Sequence, residues 1–581
     1  MTLLLDTTFP RTIETLLDRF ETQDADGSKL QAWTFDDAPT RRAAEARLAC
    51  VGVKARIRSA YKPLLHFFLE EVEREGLDQI VLRYPVHPAA APNRFRLEAY
   101  PLAALIGNAR LIFEANETLD LAYDVHLRWR NGHESRTRIL APNRTHVDPY
   151  GTVLLSPTGW LRVDATSGGE RLETDFEQLF AAAMAAVSAH DWGDAEPFFA
   201  ELNLRATLPF AERRLPVGEE CVSLGEALHE DLYFSILELF GHRRGLTRDA
   251  RDMRPGQIVP EVTFAPGHLT LRIETRPLST DEPPGNAGPA EEAAGPLSAQ
   301  AVARELEEIS GLAFEARSRA GRTVRARYRE GSDRAVMISG GQHANEASGI
   351  VGALRAAKVL AARPNAHFTV SPAENPDGQA LHLRLSQDNP RHMHHAARYT
   401  AFGDDLDVRA GDDPHERAIR TDAERRVQTL LHVNLHGYPA HEWTRPLSGY
   451  VPQGFGSWTL PRGFFLIMRY HMGWEAPAEA LMRTVTQRLS RLPGLMAFNQ
   501  AQLALYRAHS GEPGFALLDG FPCSISQDDR YAPPMTLITE YPDETIQGPG
   551  FAAAHAAQSA TVLAAYDALQ TLDLASRLPA V

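Results

Sequence analysis

The sequence predicts an α/β fold: a doubly wound, mixed and largely parallel sheet flanked by helices over residues 301–581, preceded by an α+β region over residues 1–275. Three observations carry this expectation. The chain has 581 residues, more than a single hydrophobic core usually organises. A run rich in Pro, Gly, Ala and acid, RPLSTDEPPGNAGPAEEAAGPLSAQ, occupies residues 276–300 and reads as a flexible linker or long surface loop. After it, short apolar runs alternate with helical segments, which implies crossover connections and helices on both sheet faces.

The first region has mixed texture. From Thr12 to about Glu75 apolar residues recur at helical spacing, as in LLHFFLEEVE, whereas Asn93 to Val163 alternates apolar and polar residues in RLIFEA, LAYDVHLRW and TVLLS. FEQLFAAAMAAVSAH and LGEALHEDLYFSILELFG return to helix, and GHLTLRIETR closes the region as a strand. It carries no catalytic motif.

Beyond the linker the elements come in order. AVMIS is a strand, SGIVGALRAAKVLA a helix, HFTVS and LLHVNL strands, EALMRTVTQRLSRL a helix, MTLITE a strand and FAAAHAAQSATVLAAYDALQTL a closing helix. The candidate chemistry clusters at the carboxyl ends of these strands, where open α/β sheets place their ligands.

AVMIS runs into GGQHANEASG. His343 and Glu346 stand three apart on a first helical turn, on one side of it, so an imidazole and a carboxylate can meet one cation. Catalytic zinc takes three protein ligands, and LLHVNLHG offers the third. Period-two reading puts His432, Asn434 and His436 on one face, and His436 is preferred because it ends the strand beside Gly437. Glu540 closes MTLITE at another strand end and is the candidate catalytic base, an acid placed to take a proton from metal-bound water. One Zn2+ per chain is the expected cofactor. HMHH, with His392, His394 and His395, is expected to line a pocket or the surface, since no carboxylate stands at ligand spacing from it.

These segments together resemble the zinc-carboxypeptidase family. GGQHANEASG is similar to its HxxE segment, NPDG at Asn375–Gly378 to the loop that follows, NLHG to the third-ligand segment and TLITEY to the strand bearing the catalytic glutamate, all in the family's order. The resemblance implies a carboxypeptidase-like fold, zinc-assisted hydrolysis of an amide bond, and an arginine after NPDG that steadies the oxyanion. Arg391 is the best-placed match and Arg384 its competitor, with Asn375 on the substrate side. The family's Asn-Arg pair for a terminal carboxylate is missing; GDDLDVR offers only Arg409, with Asp407 near it.

The expected function is therefore a carboxypeptidase-like metallopeptidase acting on a peptide or small amide. A zinc amidohydrolase that deacylates a small N-acyl amino acid, and a non-catalytic binding module, are the alternatives. A net charge of −15 argues against nucleic acid or an anionic membrane as partner. Three dispersed cysteines, the absence of a basic n-region in MTLLLDTTFPRTIE and the lack of a ~20-residue apolar run make the cytoplasm the expected location.

Overall fold

The computed structural model describes residues 1–574 apart from 22–26, 117, 119, 165–167, 211, 249, 251, 410–414 and 453. Residues 575–581, the end of the expected second region, lie outside the described part.

The fold is mixed α/β. Nine strands form the sheet of the second half: β1 (Leu312–Arg317), β2 (Thr323–Arg329), β3 (Val336–Gly340), β4 (Phe368–Ser371), β5 (Leu431–Tyr438), β6 (Phe465–Tyr470), β7 (Ala516–Leu518), β8 (Phe521–Gln527) and β9 (Met535–Pro542), in the order β1-β2-β4-β3-β5-β9-β6-β8-β7. The four central strands β4, β3, β5 and β9 run parallel, and β6 and β8 are parallel to each other. The β1–β2 hairpin, β2 on β4, β6 on β9 and β7 on β8 are antiparallel, so the sheet is mixed, with a parallel centre and as many antiparallel pairings as parallel ones. Tight turns after β1 and β7 reverse the chain within two to five residues, too few for the crossover a parallel pair needs.

One sheet face is covered by α2 (Ala347–Ala361), α5 (Glu475–Leu489) and α6 (Pro549–Thr571), whose Val351, Leu481 and Val562 are buried on Ile338, Val433 and Leu537. Burying branched side chains of this size contributes about 1.5–3 kcal/mol each. The other face is partly covered by α4 (Ala418–Arg426), through Ile419 and Ala423 against Met337. α3 (Pro376–Leu385) follows β4 and begins at NPDG. No described helix is long and apolar enough to cross a membrane.

In the first half, three four-stranded sheets pack with helices. Strands Lys29–Thr34 and Lys54–Ser59 interrupt the stretch read as helical from Thr12; their alternating burial, as in KLQAWT, is the period-two signal that the helical spacing around them obscured. The longest helix here, α1 (Leu224–Arg243), is buried almost throughout its first three turns. Its core is shared with the second half, since Leu228, Leu232 and Phe234 join one cluster with Met393, Ala397 and Trp443.

Residues 276–300 do not behave as their composition suggests. Ala290, Ala293 and Leu297 are buried in the core beneath α2 and α6, Gly548 N donates to Ala294 O (2.7 Å), and Asn286 N donates to Pro296 O (2.9 Å) while its O accepts from Ser298 N (2.9 Å). Small alanines fit where helices leave little room, so a segment without bulky side chains can still be held as a strap.

Candidate metal centre

β3 ends in Gly340–Gly341, and Gly341 takes φ +62°, a conformation that disfavours a side chain; a Cβ there would also meet Ile350 at 2.9 Å. This turn delivers His343 and then Glu346, the N-cap residue of α2. Glu346 caps nothing with its side chain. The orphan N–H of Ser348 is instead satisfied in trans by Asp543 Oδ2 (2.9 Å), from the segment just past β9. Glu346 is thereby free to face the site.

There, Glu346 Oε1 lies 2.9 Å from His343 Nδ1 and Glu346 Oε2 lies 2.9 Å from His436 Nδ1, while the two Nδ1 atoms are 3.0 Å apart. Among the described residues this is the one group of three whose ligand atoms fall within 4.8 Å of one another, and all three residues are buried. Ligand atoms on a tetrahedral zinc stand about 3.3 Å apart for metal–ligand bonds of ~2.0–2.1 Å. Two imidazole nitrogens 3.0 Å apart, each 2.9 Å from an oxygen of one carboxylate, are spaced so that a single cation can be held by all three residues. The residues fit a zinc ion.

The surroundings orient the ligands. Asp405 Oδ1 lies 3.4 Å from His343 Nε2 and accepts from Gln342 Nε2 (3.0 Å), the carboxylate–histidine arrangement that fixes a metal-bound ring. Gly437 N donates to Glu346 Oε2 (3.0 Å), and any Cβ at Gly437 would strike Asp543 Oδ1 at 1.9 Å. Asn434 donates to Gln342 Oε1 (3.2 Å) and accepts from Ser339 Oγ (2.9 Å).

Glu540 stands in parallel register with His436, so both side chains leave adjacent strands on the same face at their carboxyl ends. Among the described residues no hydrogen bond ties up its carboxylate. Burial, then the nearby Glu346 charge, pushes its pKa well above the usual carboxylate range, while Arg398 and Arg462 pull the other way.

The arginines fall differently from expectation. Arg391 is held on the surface by Glu219 (2.6 Å) with a side chain 41% exposed. Arg384 is taken by Glu201 (3.0 Å) and Glu261 (3.2 Å), and Arg409 is buried between Asp404 (2.6 Å) and Glu416 (2.8 Å). Each is neutralised by carboxylates that their sequence neighbourhoods do not contain or do not single out. The guanidinium that meets the candidate ligands is Arg398's, paired with Glu346 and 3.9 Å from Glu544. Asn375 is likewise structural: its Oδ1 accepts from Gly378 N (2.9 Å), capping α3, and its Nδ2 donates to Tyr399 O (3.1 Å). NPDG thus anchors the backbone beside Arg398. Local sequence gave no sign of Arg398, because the distance from NPDG to the site is spanned by an irregular loop.

The first half reaches the site through α1. Glu226 accepts from Met393 N (2.7 Å) and lies 3.1 Å from His441 Nε2. Glu230, fully buried, lies 2.7 Å from His395 Nδ1 and accepts from Trp443 Nε1 (3.0 Å), and Trp443 stacks on His395 at 4.5 Å. One carboxylate therefore ties together the loops that precede Arg398 and follow His436. HMHH is buried rather than superficial: His392 pairs with Glu212, His395 with Glu230, and His394 packs edge-on against His229 and His382. Truncating Glu230→Ala strands a buried imidazole and an indole N–H, and is expected to cost about 3–5 kcal/mol of stability, read by equilibrium urea unfolding.

No family model matches the chain, and no curated protein is similar to it. Solved structures resembling it include a metallo-carboxypeptidase from Burkholderia cenocepacia (15% identity, covering 52% of this chain and 76% of that one, TM-score 0.29). Others are carboxypeptidase A from Helicoverpa armigera (9%, 53% and 90%, TM-score 0.28) and a succinylglutamate desuccinylase/aspartoacylase from Rhodobacter sphaeroides (12%, 44% and 65%, TM-score 0.24). Likeness at this level says nothing of what the chain does, and function is read from the site.

Proposed function

We propose that the chain is a zinc-dependent hydrolase of amide bonds, a carboxypeptidase-like metallopeptidase in its simplest form. The observation that carries this reading is the convergence of His343 Nδ1, His436 Nδ1 and the Glu346 carboxylate on one point, with Glu540 in register beside it. A zinc ion held by those three residues would polarise a carbonyl and lower the pKa of bound water towards ~7.

The chain's own groups supply the rest. Glu540 takes the proton from the attacking water and delivers it to the leaving nitrogen, a role that suits a carboxylate with no competing hydrogen bond. Arg398 presents a fixed positive charge to the carbonyl oxygen as it becomes anionic. Asp405 holds the His343 ring, so the ligand set does not reorganise during turnover.

A second reading, deacylation of a small N-acyl amino acid, is favoured by one observation: Arg409, enclosed by Asp404 and Glu416, is not available to grip a peptide's terminal carboxylate. The test common to both is metal content against activity. Protein stripped with a chelator is expected to regain one zinc per chain together with hydrolysis of acylated dipeptides. A content far below one, unrestored by added zinc, removes both readings.

A further inference from the structure

Four imidazoles meet in the interior around His394. Its ring lies 5.7 Å from that of His229 on α1, 5.5 Å from His382 on α3 and 5.8 Å from His392, centroid to centroid, and all four residues are buried. Among the described residues neither ring nitrogen of His394 has a hydrogen-bond partner, nor has His229 Nε2 or His382 Nδ1. His394 also takes φ +49°, in the left-handed region, so packing holds it against its backbone preference.

The cluster lies where the first half grips the loop that leads to Arg398. Met393 N is bonded to Glu226 of α1, and Met393 O accepts from Asn345 Nδ2 (3.0 Å), a residue that stands between His343 and Glu346 in the chain. The carboxylates around the rings are already engaged. Glu212 is paired with His392, Glu230 with His395 and Glu226 with His441; on α1, Asp231 faces Arg445 (3.6 Å). On α3, Asp377 is held by Arg322 (3.1 Å) and Arg384 by Glu201 and Glu261, the latter from the strand Gln257–Phe264 that packs on this loop.

Uncharged rings suit this setting, because a buried imidazolium without acceptors is costly. Burial pushes His229 down to about 4 against the pull of Glu230, and burial alone does the same for His382. Burial, then the imidazoles around it, holds His394 well below the ordinary histidine value. If the junction opens, the rings regain water and titrate near ~6.5. The closed form therefore has its full advantage above about pH 6.5 and loses it as pH falls towards about 4. The neighbouring ion pairs do not offset this. Burial opposes it, but His395 and His392 hold Glu230 and Glu212 below the usual carboxylate range, and His441, raised to about 9 by Glu226 despite burial, keeps its proton throughout.

From this geometry we infer that His229, His382 and His394 form an acid-sensitive latch between the two halves: uncharged, they let α1, α3 and the loop of residues 392–398 close together; protonated, they part them and draw Arg398 away from the site. The latch goes beyond the hydrolase reading and stands without it.

Hydrogen exchange of the full chain at about pH 7.5 and about pH 5 tests it, after correction for the intrinsic exchange rate. Protection of the Met393 and Ala397 amides is expected to fall by about thirtyfold for each titrating histidine, the interval below ~6.5 setting the factor. The Val433 and Leu537 amides of β5 and β9 stay protected, and the loop recovers on return to about pH 7.5. His394→Asn, which tolerates positive φ, and His382→Leu each remove one such factor, and either variant alone suffices. His555→Gln, at a buried histidine of α6 also pushed down to about 4, is the control and leaves the loop's response unchanged. Loop protection that is the same at both pH values, loop and sheet amides lost together, or a fall in either variant as steep as in the natural chain overturns the latch.

Discussion

Glu540→Gln is expected to leave one zinc per chain and to cut hydrolysis by about 10²–10⁴-fold, the usual weight of a general acid–base group. Glutamine keeps the size of the side chain and removes its ability to accept a proton. The fold has little stake in the carboxylate, which is partly exposed, makes no hydrogen bond among the described residues, and lies on a strand whose register with β5 and β6 is set by backbone bonds. Because burial and the Glu346 charge both disfavour ionised Glu540, the neutral amide is expected to leave stability unchanged or slightly higher. Metal content and kcat are thus separated by one substitution. Full activity in a zinc-loaded Glu540→Gln protein would remove Glu540 from the mechanism.

The positions of the three candidate ligands and the proposed base were legible in the sequence because each sits where a local rule ends: a strand terminus, a tight glycine turn, the first residues of a helix. His343, Glu346, His436 and Glu540 need only period-two and first-turn geometry to be placed, and the structure brings them together. What holds them was not legible. Asp543 caps α2 across nearly 200 residues of chain, Glu230 reaches His395 and Trp443 from the first half, and Arg398 sits in an irregular loop that Asn375 anchors from behind. Such contacts have no period. Arg391 and Arg398 are equally good guanidinium donors by composition; Glu219, which claims the first, is far away in sequence. The strap at 290–297 shows the same limit, since composition predicts flexibility and solvation but not the alanine-sized gap that α2 and α6 leave.

Arg398 is the residue on which the oxyanion assignment turns. Arg398→Met is expected to lower kcat by about 10²–10³-fold with a smaller change in KM, the cost of losing one charge-stabilising donor in the transition state. Arg391→Met, which removes a guanidinium paired with Glu219 on the surface, is expected to do nothing measurable. Loss of Arg398 also alters the ground state in a direction that distinguishes its role. Its guanidinium and His343 share Glu346 Oε1, so it draws on the same carboxylate the metal needs. Removing it concentrates that charge on the zinc, and zinc affinity is expected to hold or rise while turnover falls. A purely structural arginine would show the opposite coupling: the site would loosen, zinc would be lost, and activity would fall in proportion to it. Glu544, buried 3.9 Å from Arg398 with neither carboxylate oxygen hydrogen-bonded among the described residues, sharpens the contrast. Burial, then the nearby Glu346 charge, holds Glu544 well above the usual carboxylate range, with Arg398 pulling the other way. Parallel titrations of zinc affinity and kcat in Arg398→Met therefore decide between a group that meets the reacting oxygen and one that merely fills the space beside the metal.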